Sequence, residues 1–412
     1  MAFEYSSRQQ DLPGPLDGIR IVEYGVFHAG PGADAILGDL GAEIIKIESG
    51  SGDPERDWRD VGGMDFTLPS GDSLTFETSN RNKRGIYLDI ETDKGRNILH
   101  RLIRNADVFL TNLRKGTIKK IGIDYETISN INPQIIHASV SGYGPEGPMS
   151  DLGAFDPLGM ARSGMLFVTG SPFPVMMHLG ILDQATAIAA SHAILTALVC
   201  RERQGIGQAV HVSLFSTGIW LLYFNFLLNT FLKIDKVPTY DRTLHSPLRN
   251  AFLCKDGKCV MATHHPESRY WKTFCEATGQ SALIDDPRFS TEAARKANCP
   301  ELIGIFDKVF PEKTRDEWMD IFQKRGLMIT SVQTIAEVST DQQAIINNYV
   351  VPFDHPKLGR VMIPGYPIHF SACRAGTKTA APAMGEHTDS VMKELGFSDQ
   401  EIVTMKDEGV IK

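Results

Sequence analysis

Apolar residues in this chain come as short runs, with segments of helical spacing between them. From Gly18, residues 19–24 (Ile-Arg-Ile-Val-Glu-Tyr) read as a strand and 25–32 as a turn. Residues 33–40 have helical spacing that ends at Gly41, and 42–48 read as a second strand. A strand, a helix and a strand in that order imply a parallel pair joined by a right-handed crossover. The pattern repeats with strand 84–88, helix 93–105, strand 106–110 and strand 135–140. Residues 49–79, rich in Gly, Ser and Asp, form one long loop, a length that in compact domains goes with function.

Further on, 183–201 is a helix of small residues and 209–214 a strand, followed by an apolar helix around Trp220. Residues 252–254 and 259–262 form a hairpin across Asp256-Gly257. Helices are expected at 268–278, 299–310, 314–326 and 388–395, and a strand at 361–363. Residues 1–14 read as a flexible arm. The expected organisation is α/β. A large Rossmann-like domain starts with 13–215, a linker helix spans 216–245, and a small α+β domain covers 246–335. Residues 336–412 then link back to the large domain.

Composition narrows the class. Of 412 residues, 42 are Lys or Arg and 50 are Asp or Glu, a net charge of −8, with 42% hydrophobic and 22% charged. That is ordinary for a folded chain and excludes dominant disorder. The acidic balance argues against a nucleic-acid partner, which needs a basic face. The N-terminus lacks an apolar signal core, and the most apolar stretch, 219–234, is broken by polar residues and too short for a bilayer. Six cysteines without CxxC spacing signal neither zinc nor disulfides. The expectation is a cytoplasmic protein with no membrane partner.

Several motifs carry possible chemistry. The turn Gly25–Gly32 opens a helix, and helix N-termini favour phosphate. Its glycines do not fit GxGxxG and Pro31 removes a donor, although Glu48 stands where a dinucleotide fold keeps its ribose-binding acid. A tight strand-to-helix turn is the simpler reading, and NAD ranks low. Two basic clusters, Arg81-Asn82-Lys83-Arg84 and Arg114-Lys115 with Lys119-Lys120, suit either a solvated face or an anionic cofactor. Asp183 precedes an alanine-rich helix: spacing alone favours an N-cap over a half-buried carboxylate nucleophile kept ionised by the helix dipole. Asp156 in Asp-Pro reads as turn chemistry. His264-His265 point to opposite strand faces and read as structural. Gly385-Glu386-His387-Thr388-Asp389 reads as a helix start.

Together these blocks resemble the class III CoA-transferases, the family of formyl-CoA transferase and carnitine CoA-transferase that also holds α-methylacyl-CoA racemases. The resemblance covers about Pro15 to Ile411. It rests on Leu16-Asp17-Gly18-Ile19, Ala29-Gly30-Pro31, residues 40–48, Asn82-Lys83-Arg84, Asn112-Leu113-Arg114, residues 139–144, Asp286-Pro287-Arg288-Phe289 and Gly385-Glu386-His387-Thr388. It implies an interlocked homodimer, or a pairing with a homologous subunit. It also implies a Rossmann-like domain built from both ends of the chain, with coenzyme A entering as acyl-CoA and no metal.

The family's aspartate nucleophile falls on Asp183. The resemblance implies that it attacks the thioester carbonyl to give an aspartyl mixed anhydride. CoA thiolate then forms an aspartyl-CoA thioester, and the acceptor acid reverses the two steps. His28 and Ala29 fall on the CoA thiol arm. Leu88, Asn112, Leu113 and Lys120 fall on the nucleotide side, Phe155 near the pantetheine, and Asp156 on the pocket wall, and Arg114 is expected among the CoA-binding residues. Formyl-CoA transferase has Gln at the position of His28, Arg at that of Ser49, and a glycine loop with no counterpart in 237–250. Oxalate and formate are therefore disfavoured as substrates, and a larger hydrophobic, aromatic or branched acid is expected. Racemases carry His at the position of Phe155, so racemase is the lesser alternative, with a non-catalytic CoA-binding subunit below it.

Overall fold

A computed structural model describes residues 12–177 and 179–412. By internal contacts the chain divides into a unit of Met1–Val237 with Asn348–Lys412 and a unit of Pro238–Asn347. Most of the expected arm, 1–11, lies outside the described residues. Its end is tied down: Gly14 N–H donates to Asp17 at 2.9 Å, and Arg374 N–H to Pro13 O at 3.1 Å.

The larger unit is a six-stranded, all-parallel sheet. Its strands are β1 (Arg20–Glu23), β2 (Glu43–Glu48), β3 (Lys83–Tyr87), β4 (Val108–Thr111), β5 (Ile136–Ser141) and β6 (Gln208–Ser213), in spatial order β3-β2-β1-β4-β5-β6. The central strands place apolar residues on both faces because both faces are covered. On one face Ile21, Ile44, Val108 and Ile136 pack under α1 (Pro31–Asp39) and the long helix Ile181–Gln204. On the other, Val22, Ile45, Ile86 and Phe109 meet helix Asp93–Arg104, whose Ile98, Leu99, Leu102 and Ile103 repeat every three or four residues. The C-terminal helices Thr388–Glu394 and Asp399–Asp407 join that second layer through Val391, Met392, Ile402 and Met405. The tail binds β3, with Tyr87 N–H donating to Thr388 Oγ1 at 3.0 Å and Asp89 N–H to Val410 O at 2.9 Å.

The smaller unit holds a three-stranded antiparallel sheet (Ala251–Leu253, Cys259–Ala262, Ile329–Val332) against helices packed by Phe252, Phe274, Phe306, Phe310, Trp318 and Phe322. His264 is fully buried there and accepts from Met328 N–H at 2.9 Å, a structural role.

Several elements differ from the sequence reading. The loop 49–79 ends in helix Leu74–Asn80, which buries only Phe76, Ser79 and Asn80 and so leaves almost no apolar period. Helices Lys115–Ile121 and Tyr125–Ile131 escape for the same reason, burying one isoleucine each. Helix Asp399–Asp407 is signed by a capping box of Ser398 and Glu401. The helix expected over 216–245 is two, Leu214–Leu221 and Tyr223–Leu232. It stops at Lys233, whose left-handed backbone (φ 58°) ends the helix and whose N–H donates to Asn229 O.

One buried charge cluster shapes the sheet's carboxyl edge. Glu23 on β1 stands beside Lys46 on β2 in register and takes Lys46 Nζ at 2.9 Å on one oxygen and Lys83 Nζ at 2.5 Å on the other. Lys46 also donates to Gly25 O at 3.0 Å, and Lys83 to Pro31 O at 2.8 Å. The two ammoniums thus hold both ends of the turn after β1. Burial works to raise the Glu23 carboxyl, but Lys46 and Lys83 outweigh it and hold it below the usual range. Two of the expected anion-binding cations are consumed likewise, as Arg81 pairs with Asp39 at 2.6 Å and Arg84 with Glu43 and Glu394 at 2.7 and 2.6 Å.

Removing one partner of such a cluster strands a buried charge, at a cost of about 3–5 kcal/mol. Glu23→Gln is expected to destabilise the larger unit by that order in urea unfolding. A loss under about 1 kcal/mol, the size of an exposed pair, would show that the cluster is solvated.

Candidate active site

The strand order reverses between β1 and β4, and ligands of doubly wound sheets sit at the carboxyl ends there. The two loops that leave this point are clamped together. Asn112, just past β4, accepts from Val26 N–H at 2.9 Å and donates to Val26 O at 2.6 Å. A methyl group on Gly25 or Gly30 would lie 3.0 or 3.1 Å from the Asn112 side chain, so a larger residue there would have to push that side chain aside. Phe27 takes a left-handed backbone (φ 59°), a strain that a bulky residue adopts only when its surroundings impose it. Asp53 supplies part of that: its Oδ1 accepts from Phe27 N–H at 3.2 Å while its Oδ2 holds Lys46 at 2.9 Å.

Below these loops opens a cavity of about 850 Å³, in the range that holds large cofactors. His28, Ala29, Asn112, Leu113, Arg114, Phe155 and Asp183 line it together, with Phe27, Lys115, Lys119 and Leu158. Arg114 and Lys119 make no ion pair among the described residues, unlike the first basic cluster. Three positions fall elsewhere. Leu88 is wholly buried in the core, outside the cavity lining, and offers a ligand no surface. Lys120 is exposed on its helix but outside the lining. Asp156 is buried behind the wall, 5% exposed.

Asp156 explains how Asp183 is held. Helix Ile181–Gln204 starts from Gly180, which has no side chain to cap it. Asp156 Oδ1 caps it instead, accepting from Leu182 N–H at 2.7 Å and Asp183 N–H at 2.8 Å. Asp183 is therefore not the N-cap. It lies in the first turn, above Leu182, which packs with Met160, Leu214 and Met177. The helix dipole does not keep it strongly ionised either: burial first, then the Asp156 charge, push its carboxyl up to about 7. The donors that would have favoured the anion are spent on Asp156.

Other contributors carry no sequence signal. Trp58 meets Phe27 and Phe155 edge to face, with centroids 5.1 Å apart for Phe27–Trp58 and Phe27–Phe155 and 5.5 Å for Trp58–Phe155. Trp58 comes from the long loop, whose length alone marked it. His28 bonds Ser79 through Nδ1 at 2.8 Å and Gln184 through Nε2 at 2.7 Å. Glu48, the would-be ribose acid, is buried and bound by Arg56 at 2.6 and 2.8 Å. It is not available to a ligand.

The profile of CoA-transferase family III matches residues 16–388, and the chain belongs to that family. It is accordingly an enzyme of the CoA-transferase class, acting on CoA thioesters. An acyl-CoA transferase of Fusarium pseudograminearum is 32% identical, over 97% of this chain and 88% of that one. Succinyl-CoA:glutarate CoA-transferase of Mus musculus is 31% identical, over 98% and 91%. (R)-2-hydroxy-4-methylpentanoate CoA-transferase of Clostridioides difficile is 30% identical, over 96% and 99%. A crystal structure of a CAIB/BAIF family protein from Brucella suis is similar at TM-score 0.79 and 30% identity, covering 93% of this chain and 100% of that one.

The carboxyl ¹³C resonance of Asp183 is expected to titrate with a midpoint of about 7. In Asp156→Asn the amide oxygen still accepts both N–H groups but carries no charge, so the Asp183 midpoint falls. An unchanged midpoint would show that the Asp156 charge does not reach Asp183.

Proposed function

We propose that this enzyme moves CoA from an acyl-CoA thioester to a free carboxylic acid, with Asp183 as the covalent relay. The observation that carries this reading is the placement of Asp183. It is a carboxylate on the cavity wall, half-buried at the start of a rigid helix and held there by Asp156. The chemistry needs a carboxylate that attacks only when ionised. Asp183 Oδ attacks the thioester carbonyl, the C–S bond breaks, and CoA leaves as thiolate, giving an acyl-aspartyl anhydride. The thiolate returns to the aspartyl carbonyl and expels the first acid. The acceptor carboxylate attacks the aspartyl thioester to form a second anhydride and free the thiolate again. The thiolate then takes the new acyl group and restores Asp183. No proton is consumed, and the two thioesters are close in energy.

Arg114, Lys115 and Lys119 suit the phosphates of CoA, as cations at the rim of the cavity. The apolar wall of Val26, Phe27, Phe155 and Leu158 supports a larger hydrophobic, aromatic or branched acyl group. The Clostridioides difficile relative is named for such a branched acid. The relatives named for dicarboxylates, succinate and glutarate, supply the competing donors to test. The helices Leu214–Leu221 and Tyr223–Leu232 leave Trp220 73%, Phe224 88% and Phe231 73% exposed. An apolar surface of this kind is normally covered, and we assign it to a second, interlocked copy of the chain. Light scattering would then give twice the 45.5 kDa chain mass.

The deciding experiment is intact-protein mass spectrometry after mixing with a panel of acyl-CoAs and trapping with hydroxylamine. The wild type is expected to carry a mass change on Asp183 with its true donor and Asp183→Ala none. Adduct formation should rise with pH through about 7, because the attacking form is the ionised one. No adduct with any donor, together with α-proton exchange into deuterated water, would overturn the reading.

A further inference from the structure

Ser79 joins the buried charge cluster to the cavity wall. It is fully buried on helix Leu74–Asn80. Its Oγ lies 2.8 Å from His28 Nδ1, 3.0 Å from Thr75 O and 3.1 Å from Glu55 Oε1. A hydroxyl has one proton, and Thr75 O can only accept. If Glu55 were a carboxylate and His28 Nδ1 bare, one proton would face three acceptors.

The far side of His28 decides which group supplies the missing proton. Its Nε2 is 2.7 Å from Gln184 Oε1, an acceptor, so the imidazole proton sits on Nε2. Nδ1 must then accept from Ser79, and Ser79 in turn needs a donor. Glu55 is 2% exposed, and its second oxygen, Oε2, has no partner. A neutral acid tolerates that far better than a carboxylate.

We propose that Glu55 is held as a neutral carboxylic acid that donates to Ser79, and that the relay Glu55–Ser79–His28–Gln184 positions His28 in its Nε2–H form beside Asp183. Glu55 and Ser79 are positioning residues; neither touches substrate. The surroundings agree. Burial first, then Asp53 on its own turn, raise the Glu55 carboxyl to about 8, against Ser79 and the opposing Lys46 and Lys83 from neighbouring strands. Burial lowers His28, with Arg81 and Lys83 acting the same way against the Gln184 bond, so a doubly protonated imidazole does not replace Glu55 as the donor.

The arrangement has a second state. When Glu55 releases its proton to solvent, the Ser79 hydroxyl turns to the new carboxylate. His28 then has to donate from Nδ1, its proton leaves Nε2, and the Gln184 carboxamide rotates to offer its NH₂. One proton is lost and the others rearrange. The cavity wall beside the nucleophile thus responds to a group buried behind it.

The test is the imidazole ¹⁵N spectrum of His28, assigned with His28→Gln, from about pH 6 to about pH 10. The wild type is expected to show the Nε2–H tautomer near neutrality and to cross to Nδ1–H with a midpoint of about 8. Glu55→Gln, whose amide donates to Ser79 but cannot ionise, should show no crossing. An alkaline limb in kcat/KM with a midpoint of about 8 is expected for the wild type and should be absent from the Glu55→Gln profile. Should Glu55→Gln not fold, Ser79→Ala serves in its place, with the tautomer expected to become independent of pH. A wild-type tautomer that never changes, or an equal crossing in Glu55→Gln, overturns the proposal. The kinetic part rests on the reading of Asp183 as nucleophile, but the tautomer part does not. If Asp183 forms no adduct, the ¹⁵N crossing still decides the relay.

Discussion

Glu23 is the constraint on which the rest depends. A carboxylate on a central strand of a parallel sheet has no water and must be neutralised where it stands. Two lysines do this, Lys46 from the adjacent β2 and Lys83 from β3 beyond it. Each has donors left over, and these reach the carbonyls of Gly25 and Pro31, the two ends of the turn after β1. The turn therefore cannot relax independently of the sheet. A buried ion cluster adds little net stability, because desolvation offsets attraction. What it adds here is geometry: it keeps a strained Phe27 backbone and the His28 side chain where the cavity needs them.

The same economy recurs on the other wall. Helix Ile181–Gln204 begins at a glycine, and its open donors are met by a carboxylate 26 residues earlier in the chain. That cap fixes the helix start, so Asp183 projects from a rigid element rather than from a loop. It also puts a second negative charge near Asp183. A carboxyl near 7 is half available at neutral pH, and it is less stabilised as an anion than an exposed aspartate. For an acyl relay that has to be both attacked and released, an anion that is not over-stabilised is a useful compromise.

The cavity also shows why one basic cluster differs from the other. Arg81, Lys83 and Arg84 lie where acidic partners face them and are spent on the fold. Arg114 and Lys119 lie after β4, on the open side of the switch point, and make no ion pair among the described residues, while Lys115 donates to Pro145 O at 3.0 Å and stands 3.7 Å from Glu146. Both segments are basic, and what separates them is position: the first leads into β3, where acidic side chains meet it, and the second follows the carboxyl end of β4.

The α/β alternation, the Asp-Gly hairpin and the helix 183–201 were legible in the sequence, because apolar period and turn residues are local properties. The family blocks pointed to Asp183, His28, Asn112 and Arg114. Short helices that bury one or two side chains were not legible, since they leave no period to read. Nor were Trp58, Ser79, Glu55 or Gln184: their partners are 24 to 156 residues away, and nothing near them in the chain marks the contact. Leu88 shows the converse, a position carried over from the family that the fold buries in the core, outside the cavity lining. The sequence alone determined the alternation of strands with the longer helices and the position of Asp183 at the start of one of them. The tertiary structure alone decided which charges are neutralised, which oxygen caps the helix that carries Asp183, and which groups meet the two nitrogens of His28. Those are properties of distance and burial between remote segments, and neither exists until the sheet has closed.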